Sequence, residues 1–112
     1  MHMIEAIVKP SSIDGIKARL AQIGVLGMTA LECKGFGKQK GHTERYRGGR
    51  MDVGFVPKVM LKVAVKSEDL DKALDAFTTA ARTGNVGDGK LFVYELGKVI
   101  RIRTGEADND AL

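Results

Sequence analysis

Tryptophan is absent from this sequence of 112 residues, cysteine occurs once, and aromatic residues make up only 5%. So few aromatic rings leave little surface on which nucleic-acid bases stack. The single cysteine, Cys33, cannot form a disulfide within the chain, which is typical of proteins from a reducing compartment. No apolar run is long enough to cross a bilayer, and Glu5 and Lys9 interrupt the first ten residues, so a signal peptide is not expected. We therefore expect a cytoplasmic protein.

The sequence also lacks the patterns of a catalytic or metal centre. His42 has no second histidine, cysteine or acid at the spacing of metal ligands. No trio of nucleophile, base and orienting group stands out from the motifs. Cys33 is expected to be a small buried residue on a strand rather than a reactive thiol, since no histidine neighbours it in the sequence. We expect a protein that is not an enzyme.

Hydrophobic periodicity indicates a single α+β domain with the element order β-α-β-β-α-β. Alternating apolar residues predict four main strands, at Met3–Lys9, Met28–Lys34, Lys58–Val65 and Leu91–Leu96. A further short strand is expected at Val99–Arg103, followed by a polar tail that we expect to be mobile. The segment from Gly35 to Pro57 has neither period and is expected to be a loop, of a length that a small domain rarely keeps without a function.

Serines and apolar stripes predict the two helices. Ser11 or Ser12 is expected to cap the first helix, which ends at Gly24. Its buried face is formed by Ile13, Ile16, Leu20 and Ile23. Ser67 is expected to cap the second helix. The buried stripe of that helix is formed by Leu70, Ala73, Leu74, Phe77 and Ala81.

This element order is that of the ferredoxin-like fold, a four-stranded antiparallel sheet with both helices on one face. The other face of the sheet is then left uncovered. It is predicted to carry Met28, Ala30, Met60, Lys62 and Ala64. A half-apolar bare face of this kind is usually buried against another subunit, so we expect an oligomer.

The net charge is +4, and basic residues and glycines are concentrated in three segments. These are GFGKQKGHTERYR at 35–47, TGNVGDGKLFV at 83–93 and VIRIRTGE at 99–106. Glycines let backbone amides approach an anion closely, and lysine and arginine add charge. Arg101 and Arg103 alternate with isoleucines on the predicted short strand, so both guanidinium groups are expected on one side. Together the three segments favour a polyphosphate ligand.

Each segment also has another interpretation. Residues 84–90 nearly match a Walker A loop, but Leu91 stands where serine or threonine is required and the segment leads from a helix into a strand. We therefore reject a P-loop, and a plain glycine-rich turn stays open. The run Lys34-Gly35-Phe36-Gly37 resembles the start of an RNA-recognition motif, but Lys38 then stands among polar residues where aromatic ones are needed. A ferredoxin-like RNA-binding module is the alternative function, and an edge strand with solvated cations is the alternative for Arg101 and Arg103.

Taken in order, these motifs resemble those of the PII nitrogen-regulatory signal-transduction proteins. The resemblance runs from IEAIVKP through GMTALECKGFGKQKGHTERYRG and TGNVGDGKLFV to VIRIRTGE, so it covers nearly the whole chain. It implies one PII-type domain over residues 1–112 and a compact homotrimer of ferredoxin-like subunits. It also implies three named loops, which are the T-loop at about 37–55, the B-loop at about 82–90 and the C-terminal loop at about 102–112.

The resemblance implies that ATP and ADP compete for clefts between subunits, and that 2-oxoglutarate binds beside ATP and Mg²⁺. The implied nucleotide-binding residues are Thr29, Gly35, Gly37, Lys38, Gln39, Ala64, Gly87, Asp88, Gly89, Lys90, Arg101 and Arg103. The implied 2-oxoglutarate-binding residues are Lys9, Gln39, Lys40, Gly41, Lys58 and Gly87. Gln39 is also implied as a ligand of the Mg²⁺ that ATP brings, and Arg101 and Arg103 are implied to reach across from the neighbouring subunit.

The tip of the T-loop is implied as the surface that binds target proteins, through Tyr46, Arg47, Gly48, Gly49, Arg50 and Met51. Family targets include ammonium channels, enzymes of nitrogen assimilation and transcriptional regulators; no nucleic acid is implied, and a membrane only indirectly through a channel or transporter. The tip departs from the family pattern, because Met51 replaces a tyrosine that is nucleotidylated in many members and Gly49 a serine that is phosphorylated in some. Elsewhere Lys38 replaces a common arginine, and Lys62 an acid near the adenine.

We predict that the T-loop tip is not switched by nucleotidylation. Met51 has no hydroxyl group and cannot form the phosphodiester that a tyrosine forms. Tyr46 lies five residues earlier, out of register for an enzyme that needs the hydroxyl within hydrogen-bond reach. Intact-mass spectrometry of protein purified from its own host under nitrogen limitation should show the unmodified mass. A UMP or AMP adduct on Tyr46 would contradict the prediction.

Overall fold

The structure, a computed structural model, describes residues 1–36 and 54–112. It contains four strands, which are β1 (His2–Val8), β2 (Thr29–Gly35), β3 (Val56–Val65) and β4 (Gly89–Glu95). Two helices, α1 (Ile13–Gln22) and α2 (Leu70–Ala81), follow β1 and β3. Each helix is entered through a short 3₁₀ turn, at Pro10–Ser12 and Ser67–Asp69. The predicted element order is thereby confirmed.

The four strands form one antiparallel sheet in the order β2-β3-β1-β4. The central strand β1 pairs with β3 on one side and with β4 on the other, so that Ala6 lies opposite both Leu61 and Leu91. The helices α1 and α2 pack side by side on one face of this sheet. This arrangement is the ferredoxin-like fold, as predicted.

The hydrophobic core lies between the helices and one face of the sheet. Alternate residues of β1 and β3 are fully or almost fully buried there, as the period of two requires. They are Ile4, Ala6 and Val8 from β1, and Val59, Leu61, Val63 and Val65 from β3. The helices contribute Ile16, Leu20, Ala73, Ala76 and Phe77. The other predicted helix residues pack around this core as half-buried neighbours; they are Ile13, Ile23, Leu70, Leu74 and Ala81.

Ser12 stands at the predicted N-cap position of α1, but the predicted capping by serine side chains is wrong. The side chains of Ser12 and Ser67 make no capping hydrogen bond, and Ser11 lies inside the first 3₁₀ turn. The 3₁₀ turns satisfy the free amides with backbone carbonyls instead, since Ser12 N donates to Lys9 O and Asp69 N to Lys66 O. At the other end of α1 the chain turns as predicted through Gly24, which has a φ of +85°.

The strand ends and one of the sheet faces also differ from the prediction. The strand β3 begins at Val56 rather than Lys58, and β4 begins at Gly89 rather than Leu91. Met60, Lys62 and Ala64 lie on the open face as predicted, but Met28 and Ala30 do not. Ala30 is paired with the core residue Leu61, and Met28 packs against the core. The cause is the pairing of β2, which places Thr29, Leu31 and Cys33 on the open face.

The C-terminal loop is folded, so the prediction of a short strand at Val99–Arg103 is wrong. The tail, which we expect to be mobile, makes backbone hydrogen bonds. Ile100 forms a single bridge with Ala107, and residues 102–104 turn the chain. The turn closes because Gly105, at a φ of +76°, donates its amide to the Arg101 carbonyl. The tail then continues as a 3₁₀ turn over Asp108–Ala111.

The structure also bears on the predictions for Cys33 and for membrane-spanning segments. Cys33 lies on β2 as expected, but it is half-buried rather than buried. Among residues 1–36 and 54–112, neither helix has the length and apolar content needed to cross a bilayer.

Candidate functional site

A cleft of about 750 Å³ lies where β2 begins and β3 ends. It brings together three of the predicted nucleotide-binding residues, Thr29, Ala64 and Arg101. Lys62 and the turn before β2 also line it, and Ala111 reaches it from the tail. We call it the Thr29 cleft. Pairing between strands explains it, because Thr29 lies opposite Lys62 on the open face and Ala64 follows two residues later on the same face.

Cations dominate the polar lining of the Thr29 cleft. Lys62, Lys66 and Arg101 line it together with one acid, Asp69. In the ranges 1–36 and 54–112 the Lys62 ammonium has neither an ion-pair nor a hydrogen-bond partner, although Glu5 lies opposite it in the sheet. The cleft therefore offers N–H donors to a ligand with acceptor atoms or negative charge.

Arg101 and Arg103 do not act as a pair in this subunit. Because residues 102–104 form a turn, the alternation expected from a strand is lost, and Arg103 does not line the Thr29 cleft. Arg101 is held by two acceptors of its own chain. Its guanidinium group donates to Glu106 Oε1 at 2.8 Å and to the Ala111 carbonyl at 3.3 Å.

A second group of predicted residues meets at the opposite end of the sheet. The side chain of Lys58 is 7% exposed, and its Nζ donates to the carbonyl oxygen of Gly87 at 2.9 Å. Gly35 lies against it, since a Cβ atom there would be 3.1 Å from Lys58 Cγ. We call Gly35, Lys58 and Gly87 the Lys58 cluster. An ammonium group has three N–H donors, so two remain for an anion after the bond to Gly87.

Asp88 organises the loop beside the Lys58 cluster. Its carboxylate accepts hydrogen bonds from the Thr83 hydroxyl, from the Thr83 amide at 2.6 Å and from the Gly84 amide at 2.8 Å. Lys9 Nζ lies 3.3 Å away and forms an ion pair with it. The Thr83 hydroxyl is the first cause, with the Thr83 amide next, that holds the pKa of Asp88 far below its ordinary value of 3.8.

This role of Asp88 was not predicted from the sequence. Asp88 was expected to lie among the nucleotide-binding residues, yet its carboxylate is used within its own loop. Lys9 was expected near 2-oxoglutarate and is paired with Asp88 instead. The local signal was the spacing of Thr83 and Asp88, since a carboxylate five residues after a threonine can fold back on the amides of a short turn.

The glycines of the B-loop are needed for two different reasons. Gly87 has a φ of +103°, and its amide donates to no other group in the described ranges, so it is available to an anion. Gly89 begins β4 opposite Val8, with a φ of +112°. A Cβ atom at Gly89 would overlap the carbonyl oxygen of Ile7, so the backbone of β1 requires glycine there. Lys90 follows on the open face, opposite Ile7, and is exposed.

Several predicted residues lie outside the described residues. They are Gly37, Lys38, Gln39, Lys40, Gly41, Tyr46, Arg47, Gly48, Gly49, Arg50 and Met51. The proposed Mg²⁺ ligand, Gln39, is among them. Within residues 1–36 and 54–112, no three histidine, cysteine or acidic side chains are grouped to hold a metal ion.

The Thr29 cleft and the Lys58 cluster lie at opposite ends of the same strands. Thr29 begins β2 and Gly35 ends it. Six steps of about 3.4 Å put the ends of β2 about 20 Å apart. One subunit thus presents two separate groups of predicted residues, one at the Thr29 cleft and one at the glycine-rich loop.

Comparison with known proteins assigns the family. The family model described as "Nitrogen regulatory protein P-II" matches residues 1–106. The protein named "Nitrogen regulatory protein P-II" from Pasteurella multocida (strain Pm70) is 49% identical over 112 residues, which is the full length of both chains. A protein of the same name from Rhizobium etli and "Nitrogen regulatory protein P-II 1" from Escherichia coli (strain K12) are each 48% identical over the same full length. The chain belongs to the P-II family of nitrogen regulatory proteins, and these relatives bear the names of regulators.

We predict that Asp88→Asn loosens the loop at residues 83–88. The neutral amide replaces a charged acceptor of three hydrogen bonds and the partner of Lys9. Hydrogen exchange at the amides of Thr83 and Gly84 should become at least several-fold faster. Asp75→Asn, at an exposed position of α2, is the matched control and should leave both amides unchanged.

The same prediction has a defined dependence on pH. The pKa of Asp88 is lowered in the folded protein, so its stabilising effect is complete above the ordinary value of 3.8 and is lost as the pH falls towards the folded-state value. Between pH 5 and 8 the two amides should therefore stay protected after correction for intrinsic exchange. Loss of their protection within that window, or no effect of Asp88→Asn, would contradict the role assigned to Asp88.

Proposed function

We propose that this protein is a trimeric sensor of ATP, ADP and 2-oxoglutarate that regulates target proteins of nitrogen metabolism through its T-loop. Membership of the P-II family supports nitrogen regulation over the alternative of an RNA-binding module. The nucleotide binds between neighbouring subunits. The T-loop then engages or releases its target according to the ligand in the cleft.

The observation that carries the proposal is the separation of the two half-sites in one subunit. The Thr29 cleft offers a space of about 750 Å³ with several N–H donors, whereas the Lys58 cluster and the B-loop offer an ammonium group and glycine amides. About 20 Å separates the two half-sites along β2. We therefore propose that a ligand in contact with both lies between two subunits, at the Thr29 cleft of one and the Lys58 cluster of the other. A cyclic assembly repeats such a head-to-tail contact and closes.

The open face of the sheet supports the trimer. It carries Leu31, Phe92 and Tyr94, whose side chains are 46%, 48% and 43% exposed in the single subunit. Met3, Ile7 and Met60 extend this apolar surface across the central strands. Glu5 and Lys62 interrupt this surface, where they lie opposite each other. An exposed face rich in apolar residues on a small domain is usually an interface, and burial of its apolar area stabilises association by roughly 25 cal/mol per Å².

In the proposed complex each half-site has its own part of the nucleotide. Thr29 and Ala64 hold the adenine in the cleft of one subunit, and Arg101 of the same subunit reaches the phosphates. Arg103, on the turn that follows, is proposed to approach the phosphates from outside the cleft. Gly35, Gly37, Lys38 and Gln39 of the neighbour approach from the T-loop. The neighbour's B-loop contributes Gly87, Asp88, Gly89 and Lys90, with Asp88 holding the loop in shape rather than touching phosphate.

2-Oxoglutarate is proposed to bind at the Lys58 cluster. The buried Lys58 ammonium keeps two donors for a carboxylate. Gly87, whose carbonyl oxygen it binds, has an amide that donates to no group in the described ranges. Lys9, Gln39, Lys40 and Gly41 complete the proposed set. Mg²⁺ prefers phosphate oxygens with one or two protein oxygens, and the Gln39 side chain supplies one such oxygen. When bound, the metal neutralises phosphate charge and orients both ligands.

Target binding is proposed for the T-loop tip, at Tyr46, Arg47, Gly48, Gly49, Arg50 and Met51. The partner is a nitrogen-assimilation enzyme, an ammonium channel or a transcriptional regulator. Phe36 and Phe55, at the two feet of this loop, contact each other with ring centroids 5.8 Å apart. This contact joins the two feet of the loop beside the Lys58 cluster, so that a ligand there lies next to the base of the T-loop.

We predict that Arg101→Ala and Lys90→Ala each weaken ATP binding by about one to two decades, because a charge-assisted hydrogen bond to phosphate contributes roughly 1.5–3 kcal/mol. Mixing the two variants tests the shared cleft. When equal amounts of the two variants are refolded together into random trimers, half of the subunits have an intact Arg101 and the other half an intact Lys90. About a quarter of the clefts then combine an intact Arg101 with an intact Lys90 of the neighbour and should bind ATP tightly. Titration calorimetry measures the number of tight sites.

A cleft built within one chain gives the opposite result, since every subunit in the mixture then carries one defect and no tight site returns. Arg19→Ala, at an exposed position on α1, is the control and should bind ATP as the wild type does. Tight RNA binding with no affinity for ATP would refute the proposed function and support the alternative.

We predict that 2-oxoglutarate and MgATP bind cooperatively, and that Lys58→Met abolishes 2-oxoglutarate binding. Methionine keeps most of the apolar stem of the buried Lys58 but removes its ammonium group. Coupling between the two ligands must be reciprocal, so each should raise the affinity of the other by the same factor. Equal 2-oxoglutarate affinity with and without MgATP, measured by calorimetry, would refute this prediction. An unchanged melting temperature would show that the variant is folded.

A further inference from the structure

The Arg101 side chain is fixed by the C-terminal loop before any ligand arrives. Its guanidinium group donates to Glu106 at 2.8 Å and to the Ala111 carbonyl at 3.3 Å. Both partners belong to the segment that follows Arg101. A free arginine samples many rotamers, whereas two acceptors at different points define both the position and the plane of the fork.

Glu106 is itself held in place. Its Oε1 atom accepts a hydrogen bond from the Thr104 hydroxyl at 2.9 Å, and its amide donates to Thr104 Oγ1 at 3.1 Å. The backbone closes the same turn, because Arg101 N donates to Glu106 O and Gly105 N donates to Arg101 O. The carboxylate therefore stands at a defined point rather than following the arginine.

The Ala111 carbonyl, which is the second acceptor of Arg101, is positioned by hydrogen bonds between Asp108 and Val99. Asp108 accepts a hydrogen bond from the Val99 amide at 3.2 Å and donates its own amide to the Val99 carbonyl at 2.7 Å. Its φ of +56° turns the chain into the last 3₁₀ turn, which carries Ala111 towards Arg101 and the cleft. The tail is thus tied to Val99, two residues before Arg101.

We propose that Glu106 is the positioning residue for Arg101, and that it presents the guanidinium group to the phosphates of a nucleotide bound in the Thr29 cleft. The proposal rests on the function proposed above. An arginine has five N–H donors, and only two are used by the tail, so three stay available to a ligand. In the alternative, Glu106 competes with phosphate for Arg101 through the same contact. Substitution of Glu106 would then raise ATP affinity rather than lower it.

Two substitutions at position 106 separate the alternatives. Glu106→Gln removes the charge but keeps an oxygen that accepts from Arg101 and Thr104, and Glu106→Ala removes both. If Glu106 positions Arg101, ATP affinity falls by roughly tenfold in Glu106→Ala and stays within about twofold of the wild type in Glu106→Gln. If Glu106 competes, both variants bind ATP more tightly. Asp110→Asn is the matched control, because it removes one exposed charge from the same tail with no contact to Arg101.

A double-mutant cycle tests whether Glu106 acts through Arg101. The variant Arg101→Ala/Glu106→Ala should bind ATP no more weakly than Arg101→Ala alone, since the positioned group is already gone. Relaxation of the Arg101 Nε signal in the nucleotide-free protein should show a rigid side chain in the wild type and in Glu106→Gln, and a mobile one in Glu106→Ala.

The outcomes distinguish this proposal from the proposed function. Additive losses in the cycle, tighter binding in both variants, or unchanged ATP affinity in Glu106→Ala would overturn the positioning role while ATP binding by the wild type still stood. Absence of ATP binding by the wild-type protein would overturn both.

Discussion

The central strand β1 determines where the functional groups lie. It is hydrogen-bonded on both sides, and its buried residues Ile4, Ala6 and Val8 occupy the middle of the core. Its antiparallel pairing with β3 and β4 brings the end of β1 beside the beginnings of both neighbours. Lys9, Lys58 and the B-loop meet there for that reason, while the Thr29 cleft forms at the other end.

Three cations near the Thr29 cleft and the Lys58 cluster are each held by an oxygen atom of the same chain. Lys9 is paired with Asp88, Lys58 with the Gly87 carbonyl and Arg101 with Glu106. Each partner leaves other donors of the cation unused. Ordering of the side chain then takes place during folding rather than on binding, which reduces the entropy that a ligand must overcome. Lys62, Lys66 and Lys90 are different, because no such partner holds their ammonium groups in the described ranges.

The sequence predicted the strands and helices better than it predicted strand facing, helix caps and side-chain contacts. Period-two and helical patterns located four strands and two helices, since these patterns follow from burial on one side. Met28 and Ala30 were placed on the wrong face because the pairing partner of β2 decides its facing, and that partner is distant in sequence. The serine caps failed because 3₁₀ turns supplied backbone acceptors. In the site, the tie between Arg101 and Glu106 depends on a turn that replaced the predicted strand, and no periodic pattern signals it.

Position 89 must be glycine because of the fold itself. Glycine is required at this position by the carbonyl oxygen of Ile7 in the neighbouring strand, whatever the loop binds. A descendant that lost every ligand would therefore still keep this glycine, because any side chain would force β4 away from β1. Glycine at the third position of the GDGK run is thus explained by how two backbones meet, and its presence does not by itself indicate a loop that binds an anion.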